Sequence, residues 1–501
     1  MESRLEVPFY IYETPTLKQI YNRCQGPART ILDGNWPEGL SSKVKHKSGE
    51  IFWLSQLWND TWRTYDPEKA LVFVLPIYPV LLLEEACEGI TKEMSRALVS
   101  QAVNEITALP YFHRHGGLDH VALSNDFRHK MSWFIKQGLG MPFYRFVGNI
   151  TFVAQLAEQH HPHWGCAVAA PFTSAMTFIQ RAYEPFEKET LLERGFIEPD
   201  DVFEDDRLDS AFDPPSRRDW FARDYTMFFQ GQVDPRGGYL LRRLGMQHLV
   251  GWRLRPNTSS NVFVTSSDAS RKYTVLDADG KEREETLPKC PRRSGVNKEA
   301  FGVKMGKFER CNGRSPPTKR QTEPVFFQTA TFLHRLSNSK LNLCFRGDDV
   351  TSNRYVDGVW TQTLNVLITD VEKVYRWSMP FQCEVPWRNF TYAINGSVFE
   401  KDPRAALRPI LEELHDDPAA IREKLRLMEY HSRKVLWDAP NSTTARSVLR
   451  AMTRQCLTDE MKVDFVRRTY GHDASVARDH PLFSPCAFLD TASTSALKHP
   501  E

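Results

Sequence analysis

Short apolar runs, each closed by proline, glycine or a polar cluster, alternate along this chain with stretches whose apolar residues recur at helical spacing. The first run, Val7-Pro8-Phe9-Tyr10-Ile11-Tyr12-Glu13, is aromatic and β-branched and stops at Thr14-Pro15, which predicts a strand. Residues 51–58 have helical spacing, Thr64-Tyr65-Asp66-Pro67-Glu68 reads as a turn and helix start, and residues 70–76 read as a buried strand. Residues 166–173 form a further strand pattern that stops at proline. In the second half, Tyr225 to Gly231 reads as a strand, and Arg236-Gly237-Gly238 precedes a helix bearing Arg242 and Arg243. Residues 326–336 then show helical periodicity. The densest pattern follows. Residues 341–345 are a buried strand, Arg346-Gly347-Asp348-Asp349 breaks it, Thr351-Ser352-Asn353 supplies helix caps, and Val366-Leu367-Ile368 is the next strand. Strand, polar loop, helix, strand is a βαβ unit with parallel pairing, so the fold class is α/β. Past Trp387, Asp402-Pro403 and Asp417-Pro418 are N-caps with proline at the first helical position, and helices are expected over 404–415, 419–435 and 443–454.

Length turns this pattern into domains, because 501 residues exceed one ordinary core. Residues 198–215 hold eight carboxylates and two closing prolines with little periodic apolar content, the mark of a solvated linker. The expected division is a first domain over 1–197, a linker over 198–219, a second domain over 220–457 and a tail over 458–501. Residues 257–322 are polar, basic and punctuated by glycine, serine and proline, and are expected as an insertion in the second domain.

Charge and cysteine usage narrow the classes. A net charge of +2, from 65 basic and 63 acidic residues, leaves no global basic field for nucleic acid. No apolar run is long enough to cross a membrane, and Met1-Glu2-Ser3-Arg4 does not open a signal peptide. The nine cysteines show neither a CxxC pair nor metal spacing; buried thiols with one or two disulfides are expected, Cys290–Cys311 first among them. N-glycosylation acceptor patterns begin at Asn59, Asn149, Asn257, Asn389, Asn395 and Asn441, an excess over chance that points to the Golgi or another secretory lumen. An N-terminal anchor absent from this chain would reconcile that location with the missing signal.

Two stretches carry candidate chemistry. In the βαβ unit the polar loop and helix start lie at the carboxyl ends of the strands, where open α/β sheets bind ligands and free N–H groups favour an anion such as diphosphate. Arg346 and Arg354 are placed to add charge-assisted bonds to phosphate, beside Gly347 and the helix start at Ser352. The same pattern also serves as a purely structural unit. The second stretch is Leu109-Pro110-Tyr111-Phe112-His113-Arg114-His115-Gly116-Gly117-Leu118-Asp119-His120. Its glycine pair permits a tight turn, and its histidines lack the spacing of a helical ligand pair, so no metal is expected. Asp119-His120 reads either as a reactive pair or as a capping aspartate beside a core histidine.

Several of these motifs, in order, resemble the exostosin family of glycosyltransferases. Cys344-Phe345-Arg346-Gly347-Asp348, Ser352-Asn353-Arg354-Tyr355-Val356-Asp357, Val366-Leu367-Ile368-Thr369-Asp370, Pro380-Phe381 and Glu384-Val385-Pro386-Trp387 are similar to that family's nucleotide-sugar half. Tyr10-Ile11-Tyr12-Glu13, Thr64 to Pro76, and Pro110 to His120 are similar to its first half, with His113 where asparagine is usual. One departure stands out: Gln362-Thr363-Leu364-Asn365 replaces the family's Gly-Cys-Ile-Pro.

The resemblance implies a GT-B architecture, two doubly wound Rossmann-like domains facing across a cleft, the first on the acceptor side and the second holding the donor. It implies transfer of a sugar from a nucleoside diphosphate sugar, UDP-sugar first, onto a polysaccharide or glycan with inversion and with no bound cofactor or metal. Inversion needs a positive site for the departing diphosphate and a base for the acceptor hydroxyl. Arg346, Arg354 and the helix start at Ser352 are the diphosphate candidates, Gly347 and Asp357 belong with them to the nucleotide-sugar-binding set, and Glu384 is the candidate for the ribose hydroxyls. Asp119 or His120 is the base, with Arg114 orienting it. The second reading, motivated by the 362–365 departure, is an inactive relative that serves as partner or scaffold of an active transferase.

Overall fold

The computed structural model describes residues 5–33, 47–124, 136–154, 165–174, 220–223, 225–231, 240–249, 261–266, 272–276, 282–286, 336–346, 350, 352–439, 441–471 and 480–483. The acidic segment 198–215 and the pair Cys290 and Cys311 lie outside them. The chain forms two compact units, one from residues 1–173, 375–386 and 433–501, the other from 174–374 and 387–432. Both are built on a parallel sheet, an α/β arrangement compatible with a Rossmann-like fold. No helix of the described residues is long and apolar enough to cross a membrane.

In the first unit the strands are β1 (Phe9–Ile11), β2 (Val72–Val74), β3 (His120–Leu123), β4 (Thr151–Ala154) and β5 (Cys166–Ala169). Their side chains are almost all buried, as expected of parallel strands covered on both faces. The strand order is β1-β2-β3-β4-β5. Each crossover adds its strand to the same edge, so among the described strands this sheet has no reversal and is not doubly wound, contrary to expectation. Thr14 and Thr91 cap the helices Pro15–Leu32 and Lys92–Thr107 by accepting bonds from Leu17 N and Met94 N. The chain returns to this unit at its C-terminal end. Trp437 Nε1 donates to the Pro171 carbonyl at 3.0 Å, Gln56 bonds both Trp437 O and Ala445 N, and a disulfide joins Cys166 to Cys456. The helix Thr444–Gln455 therefore packs on the first sheet at β5, and the helix Asp459–Tyr470 lies against Pro67–Lys69 of the same unit, although both follow the second domain in sequence.

The second unit contains β6 (Tyr225–Gly231), β7 (Asn261–Ser266), a hairpin of β8 (Lys272–Leu276) and β9 (Glu282–Thr286), β10 (Ser339–Phe345), β11 (Leu364–Thr369) and β12 (Tyr392–Asn395). The five-stranded sheet has the order β12-β11-β10-β6-β7, with all pairings parallel. Here the chain steps outward from β6 to β7, then returns to the other side of β6 for β10, β11 and β12. This sheet is doubly wound, and its switch point lies between β6 and β10. Part of the segment expected as an insertion, 261–266, is thus an edge strand of the sheet. The buried Arg223 ties the strand starts together: it donates to Ser339 O (2.8 Å), Thr361 O (2.8 Å) and Thr363 Oγ1 (3.0 Å).

Candidate functional site

The carboxyl edge of the second sheet is built from β6, β10 and the helix Arg354–Trp360. Phe345 ends β10, its neighbour Arg346 donates its backbone N–H to Ile368 O at 3.1 Å, and the Arg346 side chain is exposed. Arg354 has a different job. Its Nε and Nη2 both bond the Gln230 carbonyl (2.9 and 2.6 Å), Nη1 reaches Ser352 Oγ (3.2 Å), and the guanidinium lies 5.5 Å from the Phe229 ring centroid. Gly231 allows this, because a Cβ there would sit 2.7 Å from Arg354 Nη2. The arginine fastens the end of β6 to the helix start across the switch point. Ser352 is buried, and its hydroxyl also accepts from Arg354 N. Asp357 is buried and accepts from the Ser174 hydroxyl at 2.9 Å. Gly347 lies outside the described residues.

Beneath this edge runs a polar network that sequence reasoning did not foresee. Asn342 and Asn365 are paired across β10 and β11. Asn342 Nδ2 donates to Asn365 Oδ1 (2.8 Å) and to the Arg354 carbonyl (2.8 Å), and Asn365 Nδ2 donates to the Tyr355 carbonyl (2.9 Å). Two buried amides thus set how the helix sits on the sheet. The signal was visible as asparagines inside otherwise apolar strands, where an unpaired polar group is costly. Cys344 is a free buried thiol beside them, its pKa raised by burial.

In the first unit the structure brings Asp119 and His120 together and adds Tyr12. His120 opens β3, level with Phe73 of β2. Its Nδ1 is 2.7 Å from Asp119 Oδ1, and its Nε2 is 2.8 Å from the Tyr12 hydroxyl. A carboxylate fixes the proton on Nδ1, so Nε2 accepts from Tyr12. The imidazole stacks on Phe73 (4.8 Å) and Tyr12 (5.4 Å), with Phe112 edge-on at 5.1 Å. Asp119, His120 and Tyr12 are all buried, and burial, followed by the nearby Asp119 charge, raises the Tyr12 pKa. In the sequence Tyr12 reads as an ordinary strand aromatic and carries no signal of this contact. The glycine pair makes the turn: Gly117 has φ +91°, and a Cβ there would meet the Phe112 ring at 2.7 Å.

Arg114 faces the other way. Its Nη2 pairs with Glu68 Oε2 at 2.8 Å, and the guanidinium lies 5.2 Å from the Tyr111 ring centroid. His115 faces Asp464 at 3.5 Å; burial lowers its pKa, with Asp119 and Asp464 opposing. Among the described residues, no group of three or more metal-ligating side chains converges.

Glu384, expected beside the ribose, belongs to the first unit, whereas Arg346 and Arg354 belong to the second. Its carboxylate meets Arg454 Nη1 (3.2 Å), Ser447 Oγ (3.3 Å) and Arg450 Nη1 (3.4 Å) from the helix Thr444–Gln455. Its side chain is 9% exposed. The residue anchors the segment 375–386 to that helix. A lone glutamate before Val-Pro-Trp gave no hint of arginines sixty-six and seventy positions further on.

No family model matches the chain. Over 98 residues it is 29% identical to a probable glycosyltransferase of Arabidopsis thaliana, a match covering 18% of this chain and 20% of that protein. The chain thus matches a fifth of the relative's length. At the level of class, this similarity supports glycosyl transfer.

Proposed function

We propose that the chain is an inverting glycosyltransferase of exostosin-like, GT-B type, moving a sugar from a UDP-sugar to a polysaccharide or glycan without a metal. The observation that carries the donor half is Arg346: an exposed guanidinium at the carboxyl end of the strand bordering the switch point of a doubly wound sheet. Open α/β sheets take ligands at that point, and a diphosphate leaving group needs positive charge there. Arg354 contributes by holding the helix start in place rather than by offering its own charge. Asp357 and Ser352 shape the same helix from buried positions. Glu384 is left out of this donor site, because its carboxylate is engaged by two arginines of its own unit.

For the acceptor half, Asp119 orients His120 so that Nε2 is the basic nitrogen. His120 is fully buried beneath Tyr12, so an acceptor hydroxyl reaches that nitrogen only once the Tyr12 side chain moves aside. The Arg114–Glu68 pair steadies the loop above. The location proposed is the Golgi or another secretory lumen. Cys24–Cys87 and Cys166–Cys456 are disulfides, and Cys383 is disulfide-bonded as well, which suits an oxidising compartment. Asn59, Asn149, Asn389, Asn395 and Asn441 are all exposed, as glycan acceptors must be.

The test is titration of the chain with a panel of UDP-sugars, reading binding calorimetrically and UDP release enzymatically. Arg346→Ala is expected to weaken donor binding at least tenfold with an unchanged melting temperature. Absence of binding by every donor, or binding indifferent to Arg346→Ala, would overturn the proposal.

A further inference from the structure

A four-layer stack stands beside β1 in the first unit. Tyr21 lies flat on Trp58, with ring centroids 4.5 Å apart and planes at 11°. The Arg63 guanidinium is 4.7 Å from the Trp58 centroid and 4.6 Å from that of Tyr65. Groups this close cannot share a face, so the order is Tyr21, Trp58, Arg63, Tyr65. Arg63 is immobilised within it: Nη2 bonds Glu13 Oε1 at 2.8 Å, Nη1 bonds the Trp58 carbonyl at 3.0 Å, and its side chain is 6% exposed. Tyr65, the last layer, is 76% exposed. A large aromatic ring is thus held from below and bare above.

We propose that this open end is a subsite for a neutral glycan, which stacks the C–H face of a sugar ring on Tyr65 while its hydroxyls bond the half-exposed Glu13 carboxylate. The inference rests on the transferase reading, whose acceptor is a glycan, and gives that acceptor a place in the first unit. Three features favour a neutral sugar. A ring fixed by the group beneath it loses little freedom on binding, which is what makes weak stacking effective. A cation already under the ring makes the outer face a poor seat for a second cation. Among the described residues there, Lys18 and Lys69 already have carboxylates of their own, Glu13 at 3.1 Å and Asp66 at 3.7 Å, which lessens their pull on a sulfate or uronate.

The experiment uses the intact chain and calorimetric titration with cellohexaose, xylohexaose, mannohexaose and a heparin-derived hexasaccharide, comparing wild type, Tyr65→Ala and Tyr65→Trp. The expected result is binding of at least one neutral hexasaccharide, a loss of tenfold or more in Tyr65→Ala, retention in Tyr65→Trp, and equal melting temperatures. The inference is overturned if no neutral hexasaccharide binds, if Tyr65→Ala binds as well as wild type, or if Tyr65 matters only for the anionic sugar. UDP-sugar titration of the same three proteins keeps the two proposals apart. Glycan binding lost in Tyr65→Ala without any donor binding in wild type would sink the transferase reading and leave the subsite standing.

Discussion

Replacing Glu384 by glutamine separates a structural ion pair from a donor ligand. The substitution keeps the shape and removes the charge, leaving Arg450 and Arg454 side by side. The three side chains are 9%, 16% and 9% exposed in the order Glu384, Arg450, Arg454, so little solvent is available to compensate. Breaking a buried pair by removing one partner costs about 3–5 kcal/mol, and the long contacts here place the loss near the lower end, about 3 kcal/mol. For a folding unit of this size that corresponds to a fall in melting temperature of roughly 6–12 °C. Burial already lowers the Arg454 pKa, with Glu384 acting against it, the sign expected of a cation that depends on this carboxylate. Scanning calorimetry of the intact chain measures the loss, and the paired replacement Glu384→Leu with Arg454→Met should recover part of it. If Glu384→Gln melts with the wild type yet binds UDP-sugar tenfold more weakly, the reasoning is wrong and the ribose role stands.

Three other changes test separate parts of the fold. Tyr12→Phe keeps the stacked ring but strands Nε2 of the fully buried His120, so the denaturant midpoint should fall by the equivalent of about 1–3 kcal/mol at constant slope; a change within error would mean the 2.8 Å contact carries no energy. Gly358→Ala would drive a Cβ into Asn365 Oδ1 and to 2.9 Å from Asn342 Nδ2, and should cost about 1–3 kcal/mol by the same measurement. At Glu105, burial opposes ionisation, but bonds from the Thr14 and Thr16 hydroxyls and from Thr16 N–H outweigh it and hold the carboxyl below its ordinary value. A carboxyl depressed in the folded state stabilises fully above its unfolded pKa and loses that contribution as pH falls through the folded one. The melting-temperature gap between wild type and Glu105→Gln should therefore be constant above about pH 5 and close in more acid solution.

Periodicity revealed the strands because parallel strands buried on both faces are simply apolar: Leu341 to Phe345 and Val366 to Ile368 fall inside β10 and β11. The helix starts at Pro403 and Pro418 were legible because aspartate caps act locally, Asp402 accepting from Arg404 N and Ala405 N, Asp417 from Ala420 N. What could not be read was long-range. The order of the first sheet depends on which edge each crossover chooses, and no local pattern records that choice. Edge strand β7 was hidden because Val262-Phe263-Val264 is a brief apolar run in a polar segment. The site was legible as residue types and not as partners: Asp119 and His120 do pair, yet Tyr12, more than a hundred positions away, completes them. Arg354 looked like a ligand for phosphate because a guanidinium binds a backbone carbonyl with the same N–H groups it would offer to an anion.

The departure at 362–365 was the ground for the inactive reading, and the fold gives it a structural explanation. Gln362 follows the helix Arg354–Trp360 with φ +52°, a left-handed conformation that glycine adopts at least cost. The turn is kept, since Thr363 N still reaches the Gly358 carbonyl at 2.8 Å. Thr363 and Asn365 spend their polar groups on Arg223 and the Tyr355 carbonyl, inside the unit. These residues lie at the amino end of β11, where Leu364 pairs with Leu341, whereas Arg346 follows Phe345 at the opposite end. From Leu341 to Arg346 is five residue steps along the strand, roughly 16 Å, too far to touch a diphosphate site directly, and Asn365 bears on that site only through the helix whose Tyr355 carbonyl it holds. If Gln362 only bears a left-handed strain of about 1 kcal/mol, Gln362→Gly should raise the denaturant midpoint and leave UDP-sugar binding unchanged. A gain in donor binding on that substitution would restore the inactive reading, because it would show the departure reaching the donor site after all.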